Sequence, residues 1–370
     1  MQRVLFVAAM GGLGGPVRRL ATLLTNLDGV VKVLVKPRSR HLDPGLVASG
    51  ALDEHIPIRR SAQRDRVGAL LIAAAVLRRA TRRRDPIDVI HANGLVEFAL
   101  CWPAALITGL PVVTWVGNYE PPRIVKRIHP LLRSVARRTS WNAVSSFAAD
   151  VIEDTGLARR EDVTVVTNIV DPDDVAPRAV LVSRGEDAPV TVGYLQVARW
   201  EKGFDLLAPV VEALADLDGR LRFLVWATPN DQPGWDQLRS CPAGMVELRP
   251  RTPTVGDIYQ ACDVVFSPSR RESFNRVVAE ALTTGTPVVA SDLSPVVEVL
   301  GDGGLVFPSG DVEAAAAQLR KLVVDPGLRR RLGRAGARRS KAWRPEPVAQ
   351  TFHEQYIRAA RGRGLRWAKR

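Results

Sequence analysis

A short apolar run, followed by a loop and a helix-forming stretch, constrains the fold of this chain more than any other segment. Asp263-Val-Val-Phe266 is typical of a buried strand. From Asn275 to Thr284 apolar residues recur at helical spacing, and Gly285 follows as a helix terminator. Ser273 occupies the position expected of the helix N-cap. The pattern predicts a strand–loop–helix unit of an α/β sheet.

This unit carries two glutamates, Glu272 in the loop and Glu280 inside the helix. Free backbone N–H groups at a helix start favour phosphate. Ionised carboxylates beside a phosphate site suit hydroxyl groups, which donate hydrogen bonds to them. A ligand that has phosphates at one end and hydroxyl-rich rings nearby is a nucleotide sugar. The alternative is an ordinary strand–helix unit with two solvated glutamates.

The run Glu272-Ser-Phe-Asn-Arg-Val-Val-Ala-Glu280, continued by Ala-Leu-Thr-Thr-Gly-Thr-Pro-Val-Val-Ala-Ser291, resembles the Glu-x7-Glu motif of the retaining glycosyltransferases of family 4. The resemblance implies the GT-B fold, an α/β architecture of two Rossmann-like α/β/α domains that face a central cleft. It implies transfer of a sugar from a nucleoside-diphosphate sugar to an acceptor, with retention of the anomeric configuration. Residues 1–182 would bind the acceptor and residues 183–345 the donor. A helix at about 346–370 would cross back to the first domain.

Length and charge agree with this interpretation. A chain of 370 residues can form two domains with separate cores. The net charge of +13 indicates anionic partners, namely nucleotides, phosphates, anionic lipid or nucleic acid. No nucleic-acid-binding motif accompanies the charge, and aromatic residues make up only 6%. We therefore expect no nucleic-acid partner.

The cysteines and the apolar segments bear on the compartment. Cys101, Cys241 and Cys262 are far apart and have no metal-binding spacing, which favours a reducing cytoplasm. The uncharged run from Phe98 to Asn118 has the length of a membrane span, but two prolines and a glycine interrupt it. It predicts a buried helix, a turn and the strand Val112–Val116. We expect no transmembrane segment, and a first strand rather than a signal peptide at the start.

The first domain begins with a strand and a glycine loop that ends in Gly14 and Gly15. The loop does not fit the dinucleotide fingerprint, because Val17 stands at its third glycine position and no acidic residue ends the next strand. The family resemblance implies that Gly14 and Gly15 line the acceptor side of the cleft. The alternative is a plain tight turn.

Two strand ends in this domain are further candidates. His91 lies at the carboxyl end of a predicted strand, where α/β sheets bind ligands, although a structural role is the alternative. Many family members carry a histidine next to the donor sugar at the position that matches Val116. Asn118 or Glu120 is a candidate substitute for it.

Residues 123–138 contain six basic and no acidic residues. Ile124, Ile128, Leu131 and Val135 form one apolar stripe, and Pro130 must start or kink a helix. One hypothesis is peripheral contact with the anionic inner face of a membrane. The alternative is an ordinary surface helix packed on its sheet.

In the second domain, Arg199 and Lys202 follow a predicted strand, Val190–Gln196. This loop resembles the family's Gly-Arg-x-x-x-x-Lys-Gly element, whose cations hold the donor diphosphate, although here the gap is shorter and Ala198 replaces the glycine. Arg251 lies where the family places its nucleobase contacts. We place the interdomain linker at residues 178–189, and a turn at Ser294.

The resemblance gives each site residue a role. Arg199, Lys202 and Glu272 are the expected catalytic residues, because the cations neutralise the leaving diphosphate and Glu272 holds the sugar. Glu280 would bind the ribose hydroxyls. Ser273, Phe274 and Asn275 would contribute around the helix start, mainly through backbone N–H groups.

We expect no metal ion and no cofactor besides the donor. Asp171-Pro-Asp-Asp174 is not at a suitable strand end, so it is not interpreted as a metal site. The acceptor is expected to be a sugar, a lipid-linked molecule or a small molecule. Three rival functions remain open: an inactive sugar-nucleotide-binding protein, a sugar-nucleotide epimerase of the same fold, and a basic nucleic-acid-binding protein.

Overall fold

The computed structural model describes residues 1–10, 15–38, 46, 49–61, 65–175, 188–226, 232–249 and 255–367. The chain divides into two compact units. The first comprises Met1–Ile169 together with Pro345–Arg370, and the second comprises Val170–Arg344. Most of the predicted linker, residues 178–189, lies outside the described residues.

The first unit is built on a seven-stranded parallel sheet in the order β3-β2-β1-β4-β5-β6-β7. Its strands are β1 Gln2–Val7, β2 Val30–Pro37, β3 Glu54–Ile58, β4 Val89–Ala92, β5 Val112–Thr114, β6 Thr139–Ala143 and β7 Val163–Val165. The central strands are apolar on both faces because helices cover both sides of a parallel sheet.

In the described part of the first unit, six helices of five or more residues connect these strands. They are α1 Gly15–Thr25, α2 Arg66–Ala80, α3 Leu95–Thr108, α4 Arg123–Arg127, α5 His129–Ala136 and α6 Ser146–Asp154. The uncharged run folds as predicted: α3 is followed by Gly109 at φ +67° and then by β5. Among the described residues, no helix is both long enough and apolar enough to cross a bilayer.

The basic segment is not one amphipathic helix. It forms α4 and α5, which are separated at Ile128, with Pro130 in the first turn of α5. The predicted stripe is wrong at Leu131, which is 47% exposed, whereas Val125 and Leu132 are buried. The break at Ile128 changes the phase of the helix, and α5 packs against α3 as an ordinary surface helix.

The second unit has a six-stranded parallel sheet in the order β10-β9-β8-β11-β12-β13. Its strands are β8 Val190–Tyr194, β9 Leu221–Val225, β10 Val246–Leu248, β11 Val264–Ser267, β12 Val288–Ser291 and β13 Gly304–Phe307. This is the strand order of a doubly wound α/β fold, which binds ligands at the carboxyl ends of its strands.

Seven helices belong to the second unit as far as the structure describes it. They are α7 Leu207–Glu212, α8 Gln232–Ser240, α9 Val255–Gln260, α10 Arg276–Thr283, α11 Ser294–Leu300, α12 Val312–Val324 and α13 Pro326–Arg339. The predicted turn at Ser294 is wrong, because a helix starts there. Pro295 in its first turn has a backbone angle already suited to a helix.

The last helix, α14 (Pro345–Trp367), packs on the sheet of the first unit, as predicted. Its Phe352 and Tyr356 are fully buried. The amides of Asn142 in β6 and Gln355 in α14 exchange two hydrogen bonds of 2.8 and 2.7 Å. The buried apolar side chains and this amide pair together attach α14 to the sheet of the first unit.

Candidate functional site

The candidate site of the second unit lies where β8 and β11 end. These strands are neighbours in the sheet, so the loops that follow them meet at its carboxyl edge. Gly203 in the first loop has φ +65°, and a Cβ on it would lie 2.0 Å from the carbonyl oxygen of Pro268 in the second loop. Only glycine permits this close contact between the two backbones.

A charged pair joins the two loops. Lys202 Nζ lies 2.6 Å from Glu272 Oε1, and the two side chains are 28% and 11% exposed. The Tyr194 hydroxyl lies 3.1 and 3.2 Å from the carbonyl oxygens of Val197 and Lys202, and its single proton can be donated to either one. Lys202, which is predicted to bind the diphosphate, and Glu272, which is predicted to bind the sugar, are therefore in direct contact.

A buried polar chain supports Glu272 from beneath. Ser269 Oγ lies 3.0 Å from Glu272 Oε1 and 2.8 Å from Gln196 Oε1, and its single proton can serve either acceptor. Gln196 Nε2 donates to Ser267 Oγ at 2.6 Å, and Asn275 Nδ2 donates to the same oxygen at 2.8 Å. Such a satisfied network fixes side-chain orientation. No sequence motif pointed to Gln196, Ser267 or Ser269.

The N-cap of α10 is Asn275 and not Ser273, so that prediction was wrong. Asn275 has φ +66°, a left-handed conformation that asparagine tolerates better than most residues, and its Oδ1 accepts from the Val278 N–H at 3.2 Å. Its amide is held in turn by Ser267. Ser273 lies in the loop, half-buried. The Phe274 side chain is buried and packs edge-on against Trp343, so only its backbone is a candidate ligand.

Glu280 lies one turn into α10, buried and already hydrogen-bonded on both oxygens. Oε2 accepts from the Tyr259 hydroxyl at 2.8 Å, and Oε1 accepts from Arg276 Nε. Burial, with the Glu280 charge, raises the pKa of Tyr259 well above its ordinary value, so the hydroxyl remains a donor. The spacing of four residues on one helix could have indicated that Arg276 pairs with Glu280. Tyr259 is 21 residues away from Glu280, and no sequence pattern indicates that contact.

Arg199 lies in the same loop as Lys202, and its side chain forms no hydrogen bond or ion pair with the described residues. It is exposed and precedes the tight turn Trp200–Lys202, where its carbonyl accepts from the Lys202 N–H at 3.0 Å. Arg270 and Arg271 lie over the exposed Trp200 ring at 5.0 and 5.9 Å. Arg270 is also paired with Asp205 at 2.6 Å, so part of the positive charge of these loops is neutralised within the chain.

Two predicted site residues, Gly14 and Arg251, lie outside the described residues. Gly15 is the first residue of α1 and is exposed. A Cβ built on Gly15 would meet no atom within 4 Å, so packing does not require glycine there.

In the first unit, the structure identifies a buried polar group that no sequence motif indicated. The Arg19 guanidinium donates to Asn93 Oδ1 at 3.2 Å and to the carbonyl of Trp115, and lies 4.6 Å from the Trp115 ring. Glu97 Oε1 accepts from the Ala9 N–H at 2.8 Å. Burial lowers the pKa of Arg19 to about 9, against the effect of Glu97, and raises the pKa of Glu97. These residues hold the carboxyl ends of β1, β4 and β5 together.

His91 and Val116 are both buried in this arrangement. His91 is fully buried, and its Nδ1 lies 2.8 Å from the Tyr356 hydroxyl of α14. Burial, assisted by the charge of Arg19, lowers the pKa of His91 to about 3, so the ring is neutral. Val116 is buried and pairs with Ala143 through its backbone. Asn118 is half-buried and Glu120 is exposed.

Comparison with known proteins agrees with this geometry. Residues 10–174 match the family model described as Glycosyltransferase Family 4, and residues 188–325 match the model described as Glycosyl transferases group 1. A D-inositol 3-phosphate glycosyltransferase of Stackebrandtia nassauensis is 28% identical over 88% of this chain and 82% of its own length. The sulfoquinovosyl transferase SQD2 of Arabidopsis thaliana is 26% identical over 74% of this chain and 57% of its own.

Solved structures show the same fold. Anabaena HepE, crystallised with UDP and glucose, has a TM-score of 0.78 and 19% identity, covering 96% of this chain and 99% of its own. The sheets of both units, the returning last helix and the two family matches lead to one assignment. This chain belongs to the glycosyltransferases of family 4 and has their GT-B fold.

Proposed function

We propose that this glycosyltransferase moves a sugar from a nucleoside-diphosphate sugar to an acceptor hydroxyl, with retention of the anomeric configuration. The observation that carries the proposal is the contact between Lys202 and Glu272, 2.6 Å apart at the carboxyl edge of the second sheet. A cation suited to the leaving phosphate and a carboxylate suited to sugar hydroxyls are thus held within one hydrogen bond of each other.

Lys202 is proposed to stabilise the leaving diphosphate. Its ammonium group has three donors, and one is used by Glu272, which leaves two for phosphate oxygens. Negative charge grows on the β-phosphate as the bond to the sugar breaks, so a fixed cation lowers the barrier. Arg199, three residues earlier and exposed, supplies a second charge that can approach the same phosphate.

Glu272 is proposed to hold the sugar through its second oxygen. Oε1 is occupied by Lys202 and Ser269, whereas no described residue donates to Oε2. Because the buried chain beneath Glu272 fixes the carboxylate, Oε2 is oriented before the substrate arrives. Such pre-orientation reduces the entropy that binding costs.

Glu280 is proposed to accept hydrogen bonds from the ribose hydroxyls. Tyr259 and Arg276 each occupy one lone pair of its two oxygens, and every carboxylate oxygen has a second. The two internal donors fix the plane of the buried carboxylate. Arg251, which lies outside the described residues, remains a candidate contact of the base.

Retention requires no protein base on the face opposite the leaving group. The leaving phosphate is proposed to accept the acceptor's proton, which makes Val116 tolerable at the family histidine position. Arg199, Lys202 and the N–H groups at the start of α10 supply positive charge, so the proposal includes activity without a divalent ion. Retained activity in excess chelator supports this part, and loss that Mg²⁺ or Mn²⁺ restores contradicts it.

The acceptor class to test first follows from the relative named D-inositol 3-phosphate glycosyltransferase. A thermal-shift screen of nucleoside diphosphates and their sugars selects the donor, because a ligand at one hundred times its Kd adds about 2.7 kcal/mol of stability. Transfer to inositol phosphates and other polyols is then followed by chromatography. Nucleotide binding without transfer to any acceptor favours an inactive sugar-nucleotide-binding protein. Conversion of the donor in the absence of an acceptor favours a sugar-nucleotide epimerase.

A further inference from the structure

A cavity of about 850 Å³ opens between the edge strand β3 and helix α2 in the first unit. Its apolar floor consists of Ile56, Ile58, Ala74 and Ala75. No residue of the donor site belongs to it, since all of its lining comes from β3, α2 and the turn after α2.

One wall of this cavity is a buried guanidinium with an unused donor. Arg79 is 3% exposed, and its Nε donates to Glu54 Oε2 at 2.8 Å. Its Nη1 donates to the carbonyl of Asp85 at 3.1 Å. Nη2 is buried and has no hydrogen-bond partner among the described residues. A buried charged donor without an acceptor is costly, so an acceptor from outside the chain would be favoured here.

The charge around the cavity points to an anion. Arg78 and Arg82 line it and are exposed, so three guanidinium groups stand against the single carboxylate of Glu54. A cavity that is lined by both guanidinium groups and apolar side chains suits an anion that carries a carbon substituent.

We propose that this cavity, here named the β3–α2 cavity, binds the phosphate group of a phosphate ester. Arg79 Nη2, Arg78 and Arg82 hold the phosphate oxygens, and the organic substituent covers the apolar floor. A lipid headgroup and a soluble phosphate ester share this chemistry. Leu70 and Leu71, exposed on α2 one turn before Ala74 and Ala75, would meet the acyl chains in the lipid case.

Titration calorimetry with inorganic phosphate and with hexyl phosphate tests the soluble source. Hexyl phosphate should bind more tightly than phosphate, and an Arg78→Gln/Arg82→Gln double variant should weaken its binding about tenfold. The matched control is Arg133→Gln/Arg137→Gln, which removes the same charge from exposed positions on and after α5 and should change nothing. A Lys202→Gln background weakens phosphate binding at the proposed donor site, so that binding at the β3–α2 cavity is measured with less interference.

The Glu54→Gln variant tests the proposal in the opposite direction, because it is expected to strengthen the binding of hexyl phosphate. It removes the carboxylate that competes for Arg79, so binding of hexyl phosphate should become tighter. This variant keeps an acceptor for Arg79 Nε, and its melting temperature verifies that it folds. Weaker binding in Glu54→Gln contradicts the proposed role of the Arg79 guanidinium.

Sedimentation with phosphatidylglycerol vesicles, against phosphatidylcholine vesicles, tests the lipid source. If a lipid is the ligand, Leu70→Ser/Leu71→Ser should reduce sedimentation but leave hexyl phosphate binding intact. Binding of hexyl phosphate without binding to vesicles assigns the cavity to a soluble ester. The proposal is overturned if no probe binds, or if the Arg78/Arg82 pair has no larger effect than the Arg133/Arg137 pair.

Discussion

Lys202 and Glu272 lie 70 residues apart in the chain, and their side-chain atoms Nζ and Oε1 are 2.6 Å apart. This contact links the loop after β8 to the loop after β11, and it places opposite charges where the donor's phosphate and sugar would meet. Glu272 is only 11% exposed, and Lys202 is the cation that pairs with it among the described residues. This ion pair therefore connects the two loops of the site and also supplies the charges that the proposed chemistry needs.

Replacing Lys202 by glutamine tests the diphosphate assignment. The change removes a charged hydrogen bond worth about 1.5–3 kcal/mol, so nucleotide affinity should fall roughly ten- to hundredfold. Lys321→Gln, on the exposed face of α12, is the matched control. Titration calorimetry with the nucleoside diphosphate selected in the thermal-shift screen measures both. Equal affinities in wild type and Lys202→Gln would remove the basis of the assignment.

Gly203→Ala tests whether the close contact of the two loops matters. The new Cβ would clash with the Pro268 carbonyl at 2.0 Å and would also meet the cost of φ +65°. Gly219→Ala isolates the second cost, since Gly219 has φ +75° and no atom within 4 Å of its Cβ position.

The left-handed conformation alone costs about 1–2 kcal/mol, so Gly203→Ala should lower the free energy of unfolding by more than Gly219→Ala does. It should also reduce turnover, because Lys202 is the neighbouring residue. Denaturant titration and an activity assay compare the two variants. Similar losses in both would show that the loops adjust to the added methyl group.

Tyr259→Phe tests the support of Glu280. It deletes one hydrogen bond to a buried carboxylate, which should cost about 1–3 kcal/mol of stability and raise the KM for the donor. Tyr119→Phe, at a 48% exposed tyrosine, is the control for loss of a phenolic hydroxyl. An unchanged donor KM in Tyr259→Phe would separate Glu280 from nucleotide binding.

Acid should destabilise the protein through His91. Its pKa is about 3 in the folded chain, against 6.5 for a histidine exposed to water, so the unfolded chain binds one more proton between these values. The contribution of His91 is complete above pH 6.5. It falls by about 1.4 kcal/mol per pH unit as the pH decreases further, until the pH approaches the folded pKa.

His91→Gln should lack this component, and His353→Gln, which keeps His91, should retain it. Urea unfolding at several pH values from about 5 to 8 gives the slopes of all three proteins. If the difference in free energy of unfolding between wild type and His91→Gln does not change with pH, the buried imidazole does not remain neutral.

The stereochemistry of transfer tests the proposed mechanism most directly. We expect the anomeric configuration of the donor to be kept in the product, and Arg199→Ala to lower turnover as well as donor binding. Proton NMR of the first-formed product distinguishes the anomers by their coupling. An inverted product would contradict the phosphate-as-base mechanism. It would direct the search for a protein base to three residues, the buried His91 and the exposed Glu120 and Asp150.

Much of the fold was readable from local sequence. Apolar runs that end in glycine or proline mark the strands and helices of a parallel sheet, because each such element is buried on both faces. The interrupted run from Phe98 to Asn118 became α3, a turn and β5 for this reason. The cations after β8 and the glutamates after β11 were also identified, since strand ends in such sheets meet at one edge.

Local sequence failed where a distant contact decides the outcome. Ser273 had the better position for an N-cap, but Asn275 takes the role because Ser267, at the end of β11, holds its amide. Which face of the basic segment is buried depends on its packing against α3. The spacing of apolar residues along the sequence does not reveal this packing.

The sequence by itself determined the two α/β halves and the residue types of the donor site, because backbone propensity and burial act over a few neighbouring residues. Only the tertiary structure decided the partners: Tyr259 for Glu280, Asn93 for Arg19, and Tyr356 for His91 across 265 residues. A buried polar group must find an acceptor or donor wherever the fold brings one. That choice depends on three-dimensional distance, which separation along the chain does not encode.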